Sequence, residues 1–153
     1  RPTSAATCRT MTSSARPAPS LPRAVVACHG ELAGGLISAV QLISGRGDSF
    51  RALSNRDLGP VELEGLVREA VAAIDARVVF TDLPAGSCTV AARRVARDVP
   101  GLVVVTGTNL SVLLAWVFAP DGGAAACDNA IERGHRAMVV YPGGAVREVG
   151  GAN

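Results

Sequence analysis

From Arg23 onward, short apolar runs alternate with stretches whose apolar residues recur every three or four positions. The run Ala24-Val25-Val26-Ala27-Cys28, closed by His29-Gly30, reads as a buried parallel strand with a histidine at its carboxyl end. Leu32, Leu36, Ala39, Val40 and Ile43 then form one face of a helix over 31–44, with Gly45 as its stop. Gly34 and Gly35, costly inside a helix, are expected to admit close backbone approach near His29. A weaker strand candidate covers 49–53. A second helical stripe opens at Pro60 and runs through Leu63, Leu66, Val67, Ala70, Val71 and Ile74.

The next strand, Val78-Val79-Phe80, exits through Thr81-Asp82 into Leu83-Pro84-Ala85-Gly86. Ser87 is placed to cap a helix over 88–97. The run 102–105 is a strand that exits through Thr106-Gly107-Thr108-Asn109 into a helix over 110–118. A last helix covers 124–133, stopped by Gly134, and Met138 to Tyr141 forms a short final strand. Strands alternating with helices predict an α/β fold: a doubly wound, mainly parallel four-stranded sheet with helices on both faces, plus a short fifth antiparallel C-terminal strand.

Residues 1–22 are rich in Ser, Thr, Ala, Pro and Arg without apolar periodicity and are expected to be a disordered segment. They lack the apolar stretch of a secretory signal, although an acid-free, Arg-rich composition is also that of a transit peptide. The folded domain is expected over 23–141, and the glycine-rich 142–153 as a flexible tail.

Composition narrows the class. Hydrophobic residues make up 48% of the chain but aromatic ones only 3%, so the core is built from Ala, Val, Leu and Ile. The net charge of +2 is too small to argue for nucleic acid or an anionic membrane, and no nucleic-acid partner is expected. Four widely spaced cysteines (Cys8, Cys28, Cys88, Cys127) form no C-x-x-C pair and read as reduced thiols in a cytoplasmic protein. The longest apolar stretch, Leu110 to Ala119, is about half of the ~20 residues needed to span a bilayer. No ligand pair has metal-site spacing, so neither metal nor cofactor is expected.

Three strand exits therefore stand out, at His29-Gly30, Asp82 to Ser87 and Thr106 to Asn109. A parallel sheet brings such exits to one edge. A carboxylate that accepts the Nδ1 proton of a histidine leaves Nε2 free as a nucleophile, which makes Asp82 the orienting partner of His29. Gly86 and Ser87, at a helix mouth, offer backbone N–H groups and a hydroxyl to an anion. Those ingredients describe a phosphohistidine site. The same His29, Asp82 and Ser87 also make up a serine hydrolase triad, although Ala85-Gly86-Ser87-Cys88-Thr89 lacks the G-x-S-x-G elbow. The plainer roles are a structural histidine, a turn-capping aspartate and a helix-capping serine. His135 reads as a surface residue at a helix end, and Trp116 and Phe118 as core or interface residues.

Three ordered segments resemble the mannose-type enzyme IIA domain of the bacterial phosphoenolpyruvate-dependent sugar phosphotransferase system. Cys28-His29-Gly30 resembles the family's phosphorylated histidine after its first strand. The segment from Thr81 to Ser87 resembles its Asp-rich, Gly-Gly-Ser loop, and Val105 to Leu110 its Gly-x-Asn-x-Pro segment. Ala85 stands where a glycine is usual, Cys88 where a proline is frequent and Ser111 where the last proline would be. The resemblance implies a phosphotransferase component in which His29 accepts a phosphoryl group from the phosphocarrier HPr and passes it to an enzyme IIB. It implies that Asp82 orients His29 and that Ser87 hydrogen-bonds the phosphate. A homodimer, in some members with an exchanged C-terminal strand, and peripheral association with a membrane permease belong to the same expectation. The alternative within it is a regulatory module whose phosphorylation state is sensed by a partner.

Overall fold

The computed structural model describes residues 23–120, 122–143 and 147–148, so the segment expected to be disordered, 1–22, lies outside the described residues. Four strands, β1 (Ala24–Cys28), β2 (Phe50–Ser54), β3 (Val78–Thr81) and β4 (Val103–Val105), form one sheet in the order β2-β1-β3-β4. Every pairing in it is parallel. All five β1 residues are fully buried, which is why that strand reads as a continuous apolar run and not as an alternating one.

The side chains of β1 nevertheless alternate between two cores. Ala24, Val26 and Cys28 share one with Phe80 and Trp116, under α1 (Leu32–Ser44), α4 (Leu110–Val117) and α5 (Ala124–Arg136). Val25 and Ala27 share the other with Val79, under α2 (Pro60–Ile74) and α3 (Ser87–Asp98). The expected doubly wound α/β architecture is therefore present, with three helices on one face and two on the other. Trp116 anchors the first core, its ring 5.4 Å from those of both Phe50 and Phe80. Phe118 is exposed and lies under the Arg46 guanidinium, 4.6 Å from ring centroid to cation.

Several local expectations are corrected. Gly134 does not stop α5, which continues to Arg136; it is buried in the last turn, packed so closely on α4 that a Cβ there would collide with Val112. Glycine at this point is the condition for the two helices to approach. Gly34 and Gly35 admit no close backbone: nothing lies within 4 Å of a Cβ built on either, and both are exposed. Ser87 is the first residue of α3 and not its cap, a position taken by Gly86 in an extended conformation (φ −82°, ψ 166°).

The expected short antiparallel strand is present as β5 (Val139–Val140), but it does not join the main sheet. It pairs with β6 (Arg147–Glu148), which lies within the glycine-rich tail, to make a separate two-stranded ribbon.

Candidate functional site

The strand order determines where chemistry can be placed. The chain crosses from β1 to β2 on one side and to β3 on the other, so the exits of β1 and β3 diverge and leave a crevice at the carboxyl edge between them. In register, Ala27 lies beside Thr81, so the residues that follow these strands are His29 on one lip and Asp82 on the other. Gly30, at φ +55°, turns the chain away immediately after His29, and α1 begins two residues later.

Asp82 holds His29 twice through one oxygen. Its Oδ2 accepts the backbone N–H of His29 at 2.9 Å and lies 2.8 Å from ring Nδ1. A carboxylate at that distance makes Nδ1 the protonated nitrogen, and the free lone pair is then on Nε2. The Asp82 side chain is only 10% exposed whereas that of His29 is 44% exposed, so the carboxylate is largely enclosed while the ring it holds faces solvent. Burial pushes the Asp82 carboxyl up, but the hydrogen bonds from the His29 backbone and ring, with the ring's charge, outweigh it and hold the group below its ordinary value. Asp82 Oδ1 is buried with no hydrogen-bond partner among the described residues.

The far edge of the ring rests on Gly86. A Cβ built there would lie 2.9 Å from His29 Cε1 and 3.7 Å from Nε2, so only glycine leaves the ring in place. Since Gly86 is the N-cap of α3, Nε2 stands beside the helix end whose first-turn N–H groups lack partners within the helix. That loop is braced from below: the Thr81 and Thr89 hydroxyls meet at 2.6 Å, and Thr89 donates to the Leu83 carbonyl.

Ser87 is exposed, and its hydroxyl accepts from Asn55 Nδ2 at 3.1 Å. A hydrolase triad needs the serine hydroxyl bonded to the histidine ring; among the described residues Ser87 Oγ meets Asn55 Nδ2, and His29 meets Asp82. The third exit proves to be mainly structural. Thr108 N donates to the Thr81 carbonyl at 3.0 Å, and Asn109 caps α4 by accepting from Val112 N at 3.0 Å.

Sequence reasoning passed over the exit of β2. The β1–β2 register pairs Cys28 with Ser54, which brings Asn55 abreast of His29, and Asn55 N donates to the Cys28 carbonyl at 3.3 Å. Arg56 follows, with Nη1 3.2 Å from Glu31 Oε1 and Nη2 3.9 Å from the position of a Cβ on Gly30. The missed signal was the polar run Ser54-Asn55-Arg56-Asp57 directly after a strand candidate.

The neighbouring thiols are not competing nucleophiles. Burial, reinforced by the Asp82 charge, pushes Cys28 up to about 12 and raises Cys88 as well, so both stay protonated at neutral pH. No group of three His, Cys, Asp or Glu side chains among the described residues is arranged to hold a metal ion. No described helix is long and apolar enough to cross a membrane. His135 is an exposed residue in the last turn of α5.

Comparison with known proteins supplies the family. The family model EIIA-man, described as PTS system fructose IIA component, matches residues 23–131. Among solved structures, the mannose/sorbose specific IIA subunit of the phosphotransferase system from Enterococcus faecalis superposes with a TM-score of 0.68 at 20% identity, covering 80% of this chain and 96% of that one. Component EIIA from Streptococcus agalactiae gives 0.69 at 20% identity, with 78% and 97% covered. The PTS IIA protein associated with the fucose utilization operon of Streptococcus pneumoniae gives 0.63 at 25% identity, with 75% and 93% covered. No curated protein matches the chain.

Proposed function

The chain belongs to the family of PTS system fructose IIA components, and on that premise we propose that it is a phosphohistidine carrier that accepts a phosphoryl group on His29 Nε2. HPr is the donor and an enzyme IIB the acceptor; the protein works as a cytoplasmic homodimer that meets a membrane permease only peripherally. The observation that carries this reading is the 2.8 Å contact between His29 Nδ1 and Asp82 Oδ2, with the opposite edge of the ring against the N-cap of α3.

The neutral Nε2 lone pair attacks phosphorus in line with the donor's N–P bond. The Nε2–P bond forms as the donor bond breaks, and the donor nitrogen keeps the electron pair of the broken bond, so no proton has to move. His29 passes from a neutral ring to a phosphoimidazolium whose Nδ1–H already faces the Asp82 carboxylate. The positive charge developing on the ring is thereby matched by a charge placed in advance. The phosphoryl oxygens meet the N-terminal N–H groups of α3 and the Ser87 hydroxyl. Since phosphoryl transfer asks mainly for positioning and charge neutralisation, these few groups are sufficient.

Intact-mass spectrometry after incubation with phosphoenolpyruvate, enzyme I and HPr tests the reading. The expected result is an acid-labile gain of ~80 Da, one phosphoryl group, that disappears in His29→Ala. A gain that persists in His29→Ala sinks it.

A further inference from the structure

One strand exit, that of β2, carried no candidate residue, yet it closes the other side of the same crevice. We propose that Asn55 is a positioning residue for the transfer: by donating to Ser87 it commits the serine hydroxyl proton to the phosphoryl group on His29. This rests on His29 being the phosphoryl acceptor.

A serine hydroxyl has one proton to donate and two lone pairs, whereas an amide nitrogen can only donate. The Asn55 Nδ2 contact to Ser87 Oγ, at 3.1 Å, therefore runs in one direction and occupies a serine lone pair. The hydroxyl is left as a donor. The Ser87 hydroxyl also lies within reach of the Cys88 sulfur, but burial keeps that thiol protonated and a thiol is a weak acceptor, so an arriving phosphoryl oxygen takes the proton from it. The strongest acceptor that can arrive in this crevice is a phosphoryl oxygen on Nε2, which stands beside Gly86, the residue before Ser87.

Asn55 is itself well placed to impose this direction. Its N–H is tied to the Cys28 carbonyl at 3.3 Å, one residue before His29, and its carbonyl accepts from Leu58 N at 3.3 Å to close the turn. The amide thus moves with the strand that carries His29, and its hydrogen bond fixes the helix that carries Ser87 to that strand. A donor oriented before the reaction costs no reorganisation as charge builds on the transferring oxygens.

Single-turnover transfer from phosphorylated HPr, followed by rapid quench, tests the role. Asn55→Ala is expected to slow the step about tenfold at saturating donor, the effect of one hydrogen bond to a charged group, with the donor concentration for half-maximal rate unchanged. In a Ser87→Ala background the same change should cost nothing further, because Asn55 acts through Ser87. The isosteric Asn55→Asp, which makes the donor an acceptor and turns the hydroxyl proton away from the phosphoryl group, should be slower than Asn55→Ala. Both variants keep the backbone bonds of the turn, and equal melting temperatures verify that they fold. Wild-type rates in Asn55→Ala, or losses that multiply fully with Ser87→Ala, overturn the inference while leaving the carrier function standing. Failure of the wild type to accept a phosphoryl group overturns both.

Discussion

The two flanks of His29 are built on opposite principles. On the β3 side stands Asp82, buried and bonded through one oxygen to both the backbone and the ring of His29. On the β2 side, beyond the half-buried and hydrogen-bonded Asn55, stands the ion pair of Arg56, 60% exposed, with Glu31, 83% exposed. β3 is an interior strand, covered on both faces, so its exit inherits a rigid support. β2 is an edge strand, and its exit faces solvent. Charge held in the first setting acts at nearly constant strength, whereas charge in the second is screened and free to change partner. One flank holds the ring in a single tautomer, while the other presents a cation whose field solvent screens.

The largest effect should come from the rigid flank. Asp82→Asn keeps the size of the side chain but removes the charge that matches the developing imidazolium and admits the wrong tautomer. Transfer to His29 should fall by about a hundredfold or more, as for the orienting carboxylate of other histidine-based sites. Nitrogen-15 spectra of the imidazole should show Nδ1 losing its sole claim on the ring proton; an unchanged tautomer with an unchanged rate would break the contrast between the flanks.

Gly86→Ala tests the third contact of the ring. A methyl 2.9 Å from Cε1 must push His29 off Asp82 or move the loop. Overpacking of this kind costs about 1–3 kcal/mol, and a melting curve measured beside the transfer rate should show both fall.

The pH dependence of stability sharpens the same comparison. Asp82 is held below its ordinary carboxyl value in the folded chain. Its contribution to stability is therefore present above the ordinary carboxylate range and is lost as pH falls through the lower folded value. Denaturation across acid pH should show this limb in the wild type and a flatter one in Asp82→Asn. Glu31, on the exposed flank, should leave the limb unaltered when changed to Gln.

The smallest effect belongs to Arg56→Ala. An ion pair this exposed contributes about 0–1 kcal/mol to stability, so the melting temperature should hardly move. The transfer rate should fall a few-fold at low salt, and the difference should fade as salt rises. A salt-independent loss would place Arg56 with the rigid flank instead.

Much of this arrangement was legible in the chain. Buried parallel strands and amphipathic helices write their periods directly into the sequence, and so the sheet, its flanking helices, and His29 and Asp82 at strand ends could be read from it. Boundaries depending on side-chain packing could not. Gly134 looks like a helix stop until Val112 is seen to occupy the space its side chain would need. Ser87 looks like a cap until Asn55, 32 residues away, is seen to hold its hydroxyl.

Hydrophobic period and strand exits are local properties, so the fold class and the histidine–aspartate pair could be read from the chain, while the family was pointed to by the resemblance of three ordered segments. Only the tertiary structure decided which further groups share the crevice. The parallel register that sets Asn55 abreast of His29 is a relation between two strands with a helix between them, and no local pattern records it. The same holds for Gly86, whose missing side chain matters only because the His29 ring lies against it.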